Sequence, residues 1–339
     1  MKSKKKYTIT DVADMLGVSR ATVSRALNGT SGVGPELREK IVAFANEIGY
    51  RPNPLARSLT KGRVNIVGLV FGDVRNPFYS ELTFYIQKAL ERYGYTVMIF
   101  NNEYDLEREA RSIETAKELC LAGLILFTVV TDMEEEQLRA MNIPIIFVNR
   151  TLEFQNYDSV LLDNFRAGYI ATMHLIELGH QRIGFIKGHQ RSSVTIQRYE
   201  GYRQALKTYY LTMQEEDIFS GDLKMKKGYE IAGEFFAREQ RPSAMLIGND
   251  LMALGFMDWC KEHGIEIPKE LSLVSFDNID FSALHGFELT TISQKVEEMG
   301  EKAAELMVRR IEEPDAEYRR IILEPELIIR KTTREYQES

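Results

Sequence analysis

The sequence predicts an N-terminal all-α helix-turn-helix domain followed by an α/β body of doubly wound parallel sheets in two lobes. Three observations carry this expectation. Two short helical patterns abut across Gly17. From Val64 onward, short apolar runs bounded by Gly, Asn or Asp alternate with helical patterns, twice over. The charge is also divided: residues 1–63 hold 12 Lys and Arg against 5 Asp and Glu, while the remainder holds 31 against 45. A basic head on an acidic body points to a polyanionic partner for the head alone.

The head is organised around Ser19–Asn28, SRATVSRALN. Ser19 is a good N-cap. At 100° per residue, Thr22, Val23, Ala26 and Leu27 share one side, and Arg20, Ala21, Ser24, Arg25 and Asn28 the other. Gly29 can end the helix in a left-handed turn. Before it, Thr8–Leu16 reads as a helix opened by Thr8 and Asp11 at capping-box spacing. Val12, Leu16 and Val18 can pack on Val23 and Leu27. Such a pair would lay its second helix in the major groove of DNA, first residues towards the base edges. Pro35–Ile48 makes a third helix, with Leu37, Ile41, Phe44 and Val42, and Ile48 as its apolar stripe. Asn53 and Pro54 can start a further helix, with Leu55 and Leu59 on one face. It is too short to persist unaided, so it reads as a hinge that coils only against a partner and DNA.

Length and composition narrow the class. A chain of 339 residues exceeds one ordinary core. No apolar run approaches membrane-spanning length, and no signal-peptide core follows the basic start. Cys120 and Cys260 are too few and too distant for a disulfide framework, which fits a reducing cytoplasm.

The body's apolar runs are 64–70, 95–100, 122–127, 144–148 and 160–162, with helices at about 78–92, 105–119 and 133–141. A second series follows: helix 165–178, strand 182–187, helix 194–209, strand 217–220, helix 227–238, strand 244–248, helix 250–263 and strand 271–276. Strand-like runs at 289–293 and 320–329 flank a helix at 296–311. Ligands of open α/β sheets sit beyond the carboxyl ends of the strands. There stand Asp73, Asn76, Phe78 and Tyr79; Asp163 and Asn164; Arg191, Ser193 and Arg198; Asn249 and Asp250; and Asp277 and Asn278. Carboxylates, amides, arginines and aromatics around a cleft suit a small polyol. Asp250 reads more simply as an N-cap, and Asp73 and Asp163 read equally well as caps or turns.

Catalytic and cofactor signatures are missing. There is no phosphate-binding loop and no G-x-G-x-x-G after a strand, and no nucleophile elbow. His174, His180, His189, His263 and His285 do not cluster at metal-ligand spacing. Neither an enzyme nor a cofactor or metal site is expected.

The run TITDVADMLGVSRATVSRALNG resembles the DNA-binding head of the lactose-repressor/galactose-repressor family, and GYRPNPLARSL resembles its hinge. SVLLDN, LGHQRIGFI, RYEGY, RPSAMLIGNDLMALG, IPKELSLVSFDN and LTTISQ extend the likeness over essentially the whole chain. The resemblance implies a cytoplasmic transcriptional repressor, homodimeric or tetrameric, binding a palindromic operator under control of a small effector, most simply a sugar or sugar phosphate. It implies a headpiece at 1–51, a hinge at 52–63, and a type I periplasmic-binding-protein body at 64–339. The N-lobe would take 64–162 and 294–322, and the C-lobe 163–292 and 324–339. By position, Arg20, Ala21 and Arg25 would read bases. Thr8, Thr22, Ser24, Asn28 and Tyr50 would hold the DNA backbone. Leu59 would wedge into the minor groove and Leu55 would meet its dimer mate. Asp73, Phe78, Tyr79, Asp163, Arg198, Asn249 and Asp277 would surround the effector. Leu223 departs from the aromatic platform often found after Gly221-Asp222. A global regulator served by a phosphorylated carrier protein is the alternative.

Overall fold

The computed structural model describes residues 7–27, 29–50, 63–127, 136, 140–152 and 156–337. The chain divides into two compact units, Met1–Val64 and Asn65–Ser339.

In the first unit, α1 (Ile9–Leu16) opens on a reciprocal box. The Thr8 hydroxyl accepts the Asp11 N–H at 3.3 Å, and the Asp11 carboxylate accepts the Thr8 N–H at 2.7 Å. Gly17 takes the left-handed conformation (φ 64°) that ends it. Ser19 then starts α2 (Arg20–Leu27) by accepting the Thr22 N–H at 3.1 Å. Gly29, at φ 71°, turns the chain away. Pro35 sets the first turn of α3 (Pro35–Glu47). Val12, Ala13, Val23, Ala26, Ile41 and Ala45 are buried between the three helices. Leu37 and Val42, expected in the α3 stripe, are exposed instead, and Ala45 completes the buried row. Helices α1 and α2, of eight residues each, cover only the row centred on Ile41.

In the second unit, one sheet is entirely parallel, in the order β11-β5-β4-β3-β1-β2. Its strands are β1 (Ile66–Phe71), β2 (Thr96–Asn101), β3 (Gly123–Leu126), β4 (Ile145–Val148), β5 (Asp158–Leu162) and β11 (Arg320–Leu323). The other runs β12-β10-β9-β8-β6-β7 and is parallel except for β12. It comprises β6 (Ile183–Lys187), β7 (Ile218–Ser220), β8 (Ala244–Ile247), β9 (Ser272–Asp277), β10 (Thr290–Ser293) and β12 (Glu326–Ile328). The run 320–329 is thus two strands on different sheets, because Glu324-Pro325 breaks it and Pro supplies no ladder donor. Residue 217 closes a short 3-10 turn rather than opening β7.

Helices α4 (Pro77–Glu91), α5 (Leu106–Glu118) and α10 (Val296–Glu312) accompany the first sheet; α6 (Asn164–Glu177), α7 (Ser193–Thr208), α8 (Met225–Phe236) and α9 (Asp250–Glu262) accompany the second. The chain passes between the sheets after β5, after β10 and after β11. The expected helix at 133–141 falls mostly outside the described residues. Two glycines bring α6 and α7 into backbone contact: a Cβ on Gly168 would lie 2.0 Å from the Arg198 carbonyl oxygen, and one on Gly201 2.0 Å from that of Phe165. This fixes the height of Arg198 above the second sheet.

Candidate functional site

Two surfaces gather the residues singled out above. The first is the outer side of α2. Arg20, Ala21 and Arg25 are exposed there, while Thr22 and Ser24 are half-buried. The Thr22 hydroxyl shares a 2.9 Å hydrogen bond with that of Ser19. Thr8 is exposed at the start of α1, and Tyr50 packs partly buried against the three-helix core. Asn28, Leu55 and Leu59 lie outside the described residues, as does the hinge apart from Arg63.

The second is a cleft at the carboxyl ends of both sheets, with about 510 Å³ of empty space, part of it open to solvent. Phe78, Tyr79, Arg198, Asn249 and Asp277 line it, together with Asn76, Phe127, Asn149, Ser192, Val194, Thr195, Leu223, Gly248 and Gln294. Parallel pairing explains the central pair. Ser293 of β10 is in register with Asp277 of β9, so Gln294, one residue on, reaches back to it. The Gln294 amide donates to Asp277 Oδ1 at 2.5 Å and accepts from the Asn149 amide, whose oxygen in turn accepts the Leu162 N–H at 3.2 Å. A chain of amides therefore ties the Asp277 carboxylate to the first sheet.

Arg198 is buried among fixed partners. Its Nε donates to Asn164 Oδ1 at 2.9 Å, its Nη1 to the Gly248 carbonyl at 2.8 Å, and its plane lies 4.4 Å from the Phe276 ring centre. Its Nη2 stands 4.0 Å from Asp277 Oδ1 and has no hydrogen-bond partner. An unspent, buried N–H on a cleft-lining cation is a donor awaiting an acceptor. Asp277 (φ 120°) and Asn278 (φ 60°) both hold backbones that side chains disfavour.

Burial pushes the Asp277 carboxyl up to about 7, with Asp250 adding to the rise and Arg198 and Gln294 opposing it. Asp250 is pushed up to about 6, again by burial, against the hydrogen bonds it accepts. Those bonds come from Ser275 Oγ, Thr291 Oγ1 (2.7 Å) and the Ile279 N–H (3.0 Å). Asp250 is therefore not the N-cap that its position suggests. That role falls to Asn249, whose Oδ1 accepts the Met252 N–H at 3.1 Å while its Nδ2 donates to the Leu223 carbonyl at 3.1 Å. The aromatic wall is built on the first sheet. Tyr79 stacks on Phe71 at 5.3 Å and meets Phe78 and Phe127 edge-on. Burial pushes its hydroxyl up to about 12, so it stays a neutral donor.

Of the seven expected effector contacts, two do not line the cleft. Asp163 caps α6, accepting the Arg166 N–H at 2.8 Å, so the helix start consumes its carboxylate. Asp73 is taken by the Arg75 guanidinium, at 2.7 and 2.8 Å, which holds its carboxyl below the usual range. Asn149 and Gln294 were within reach of the same carboxyl-end reasoning, since each directly follows a strand, β4 and β10. Ser192 lies between Arg191 and Ser193 in the same strand-end stretch, where it is the N-cap of α7, while Thr195 in the helix's first turn carried no such signal. Among the described residues, no group of three or more His, Cys, Asp or Glu could hold a metal ion, and no helix is long and apolar enough to cross a membrane.

Known protein families match stretches in both parts of the chain. Residues 8–53 match the model of bacterial regulatory proteins, lacI family, and residues 172–333 match a periplasmic binding protein-like domain. The HTH-type transcriptional regulator DegA of Bacillus subtilis is 32% identical over 332 residues, covering 97% of this chain and 98% of that protein. The lac repressor dimer bound to operator and the anti-inducer ONPF superposes with a TM-score of 0.85 at 25% identity, over 97% of this chain and all of that one. A regulator from Enterococcus faecium with bound ribose superposes at 0.71 and 28% identity, over 80% of this chain and all of that one. A three-helix head whose second helix exposes Arg20 and Arg25, a two-lobed body, and this likeness over nearly the whole length together place the chain in the LacI family of bacterial transcriptional regulators.

Proposed function

We propose that this chain is a transcriptional repressor that binds a palindromic operator as a homodimer and is controlled by a small polyhydroxylated effector, a sugar or sugar phosphate, held in the cleft. The observation that carries the reading is α2, whose Ser19 cap and buried Val23 and Ala26 turn Arg20, Ala21 and Arg25 outward together. Arg25 offers a fork that matches the two acceptors of guanine, Ala21 offers only methyl or shape contact, and Thr8, Thr22, Ser24, Asn28 and Tyr50 supply backbone contacts. Residues 1–51 act as the headpiece and 52–63 as the hinge, where Leu55 faces its dimer mate and Leu59 enters the minor groove. Residues 64–339 act as the sensor.

In the cleft, Arg198 donates and Asp277 accepts or, when protonated, donates to adjacent hydroxyls, and Phe78 and Tyr79 cover an apolar ring face. Effector binding changes the angle between the lobes and with it the spacing of the two hinges. The relatives bear the names of transcriptional regulators, so no turnover is assigned, and the place of action is the cytoplasm. A phosphorylated carrier as co-regulator gains no support from these matches. The test is selection of bound duplexes from a random pool by the full chain. The reading expects a palindrome with half-sites about one helical turn apart; recovery of no preferred sequence overturns it.

A further inference from the structure

A second contact between the lobes lies beside the cleft, and the effector groups above do not use it. Tyr104, in the loop after β2, and His189, in the loop after β6, place their ring centres 4.4 Å apart. The first sheet holds Tyr104 out for this contact. Glu103 and Tyr104 both take left-handed backbones, φ 54° and 61°, which side-chain-bearing residues rarely adopt. Asn102, fully buried, clamps them: its Oδ1 accepts the Tyr104 N–H at 2.9 Å and its Nδ2 donates to Glu109 at 3.2 Å. Glu109 is itself anchored to buried Arg150 at 3.2 Å. Gly72 leaves room for the ring, since a Cβ there would lie 2.0 Å from it. Burial raises the Tyr104 hydroxyl well above its ordinary range, with the charge of the cleft-lining Tyr79 adding to the rise.

The second sheet positions His189 through Gly188. A Cβ on Gly188 would meet Leu223 at 2.7 Å and Thr195 at 2.8 Å, both cleft-lining. His189 Nε2 is buried and has no hydrogen-bond partner. The two rings meet tilted at 47°, and His189 directly follows Gly188, which abuts the cleft-lining Thr195 and Leu223, on the side where Leu223 offers no aromatic platform.

We propose that Tyr104 and His189 form a cross-lobe bridge that closes this side of the cleft and confines the effector to one sugar ring. The inference rests on the polyol reading above and adds a size limit to it. A two-ring ligand extending past Tyr79 must part the pair, forfeiting the ring contact.

The experiment uses the full chain with labelled histidine, of which there are five, His189 being assigned through His189→Gln. In the parent, the face of Tyr104 shifts the His189 ring-proton resonances upfield. Tyr104→Phe keeps that shift, and Tyr104→Ala and Tyr104→Leu abolish it while the unfolding midpoint shows each variant folded. Ribose and cellobiose are then the probes in thermal-shift titrations. Tyr104→Ala gains roughly tenfold in cellobiose affinity, the scale of one aromatic contact, while ribose affinity holds. Identical His189 resonances in parent and Tyr104→Ala overturn the bridge. A parent that binds cellobiose as well as Tyr104→Ala does overturns the size limit. If neither sugar shifts any variant while the resonances do respond, the polyol reading and the size limit fall and the bridge stands.

Discussion

Replacing Arg198 by Met leaves the side chain's bulk but removes its charge, which makes the energetics of the cleft measurable without an effector. The substitution deletes the hydrogen bonds to Asn164 (2.9 Å) and Gly248 (2.8 Å), the stacking on Phe276 (4.4 Å) and the opposing charge on Asp277 (4.0 Å). Removing one member of a buried pair costs about 3–5 kcal/mol, and hydrogen bonds from a charged donor contribute roughly 1.5–3 kcal/mol each without adding simply. The deficit also depends on pH. Arg198 lowers the Asp277 carboxyl, which burial has raised to about 7. At pH 5 the carboxyl is protonated in the parent, so the ionic attraction is absent and only the hydrogen bonds and the stacking are lost. At pH 8 it is ionised, and the full pair is at stake. Without Arg198 the folded variant holds its proton to still higher pH, so the parent's advantage over it grows as pH rises. Urea unfolding followed through Trp259, the sole tryptophan and part of the body, should show a deficit of about 3–5 kcal/mol at pH 8 and a smaller one at pH 5. An equal deficit at both pH values, or none, would refute this account of the pair.

Further outcomes follow from the same geometry. Asp277 and Asp250 keep protons in the folded state that the unfolded chain has released, so stability falls as pH rises from the usual carboxylate range to about 7 and about 6. Asp277→Asn should flatten that fall by up to ~1.4 kcal/mol per pH unit, read from urea midpoints across the window. Gly168→Ala, whose Cβ would press on the Arg198 carbonyl at 2.0 Å, should cost about 1–3 kcal/mol and weaken the response to effector, because α6 and α7 must separate. Asp163→Ala should cost only the roughly 1 kcal/mol of a lost helix cap and leave the effector response intact, as titration of DNA release would show.

The head was the most legible part of the chain because its signals are local. Thr8 with Asp11, Gly17, Ser19, Gly29 and Pro35 each act within a turn of their own position, and each sits at the helix boundary it announces. The alternation of runs likewise announces the sheets, since a strand buried on both faces reads as continuous apolar sequence. What the sequence conceals is which acidic group at a strand end faces the ligand. Asp73, Asp163, Asp250 and Asp277 look alike in sequence, yet one binds Arg75, one caps α6 and one satisfies Ser275 and Thr291. Only Asp277 lines the cleft, and what places it there is pairing with a strand whose partner Gln294 comes 17 residues later. The break at Glu324-Pro325 is equally non-local in effect: β11 and β12 are adjacent in sequence but belong to different sheets.

The measurement that most directly tests the central claim compares the parent with Arg25→Ala on the selected palindrome and on duplexes altered one base pair at a time. The account predicts that the parent discriminates by about 1–3 kcal/mol at one guanine per half-site, and that Arg25→Ala binds the palindrome more weakly and no longer distinguishes that base. Equal affinity and an unchanged base preference in the variant would contradict the assignment of α2 as the reading helix.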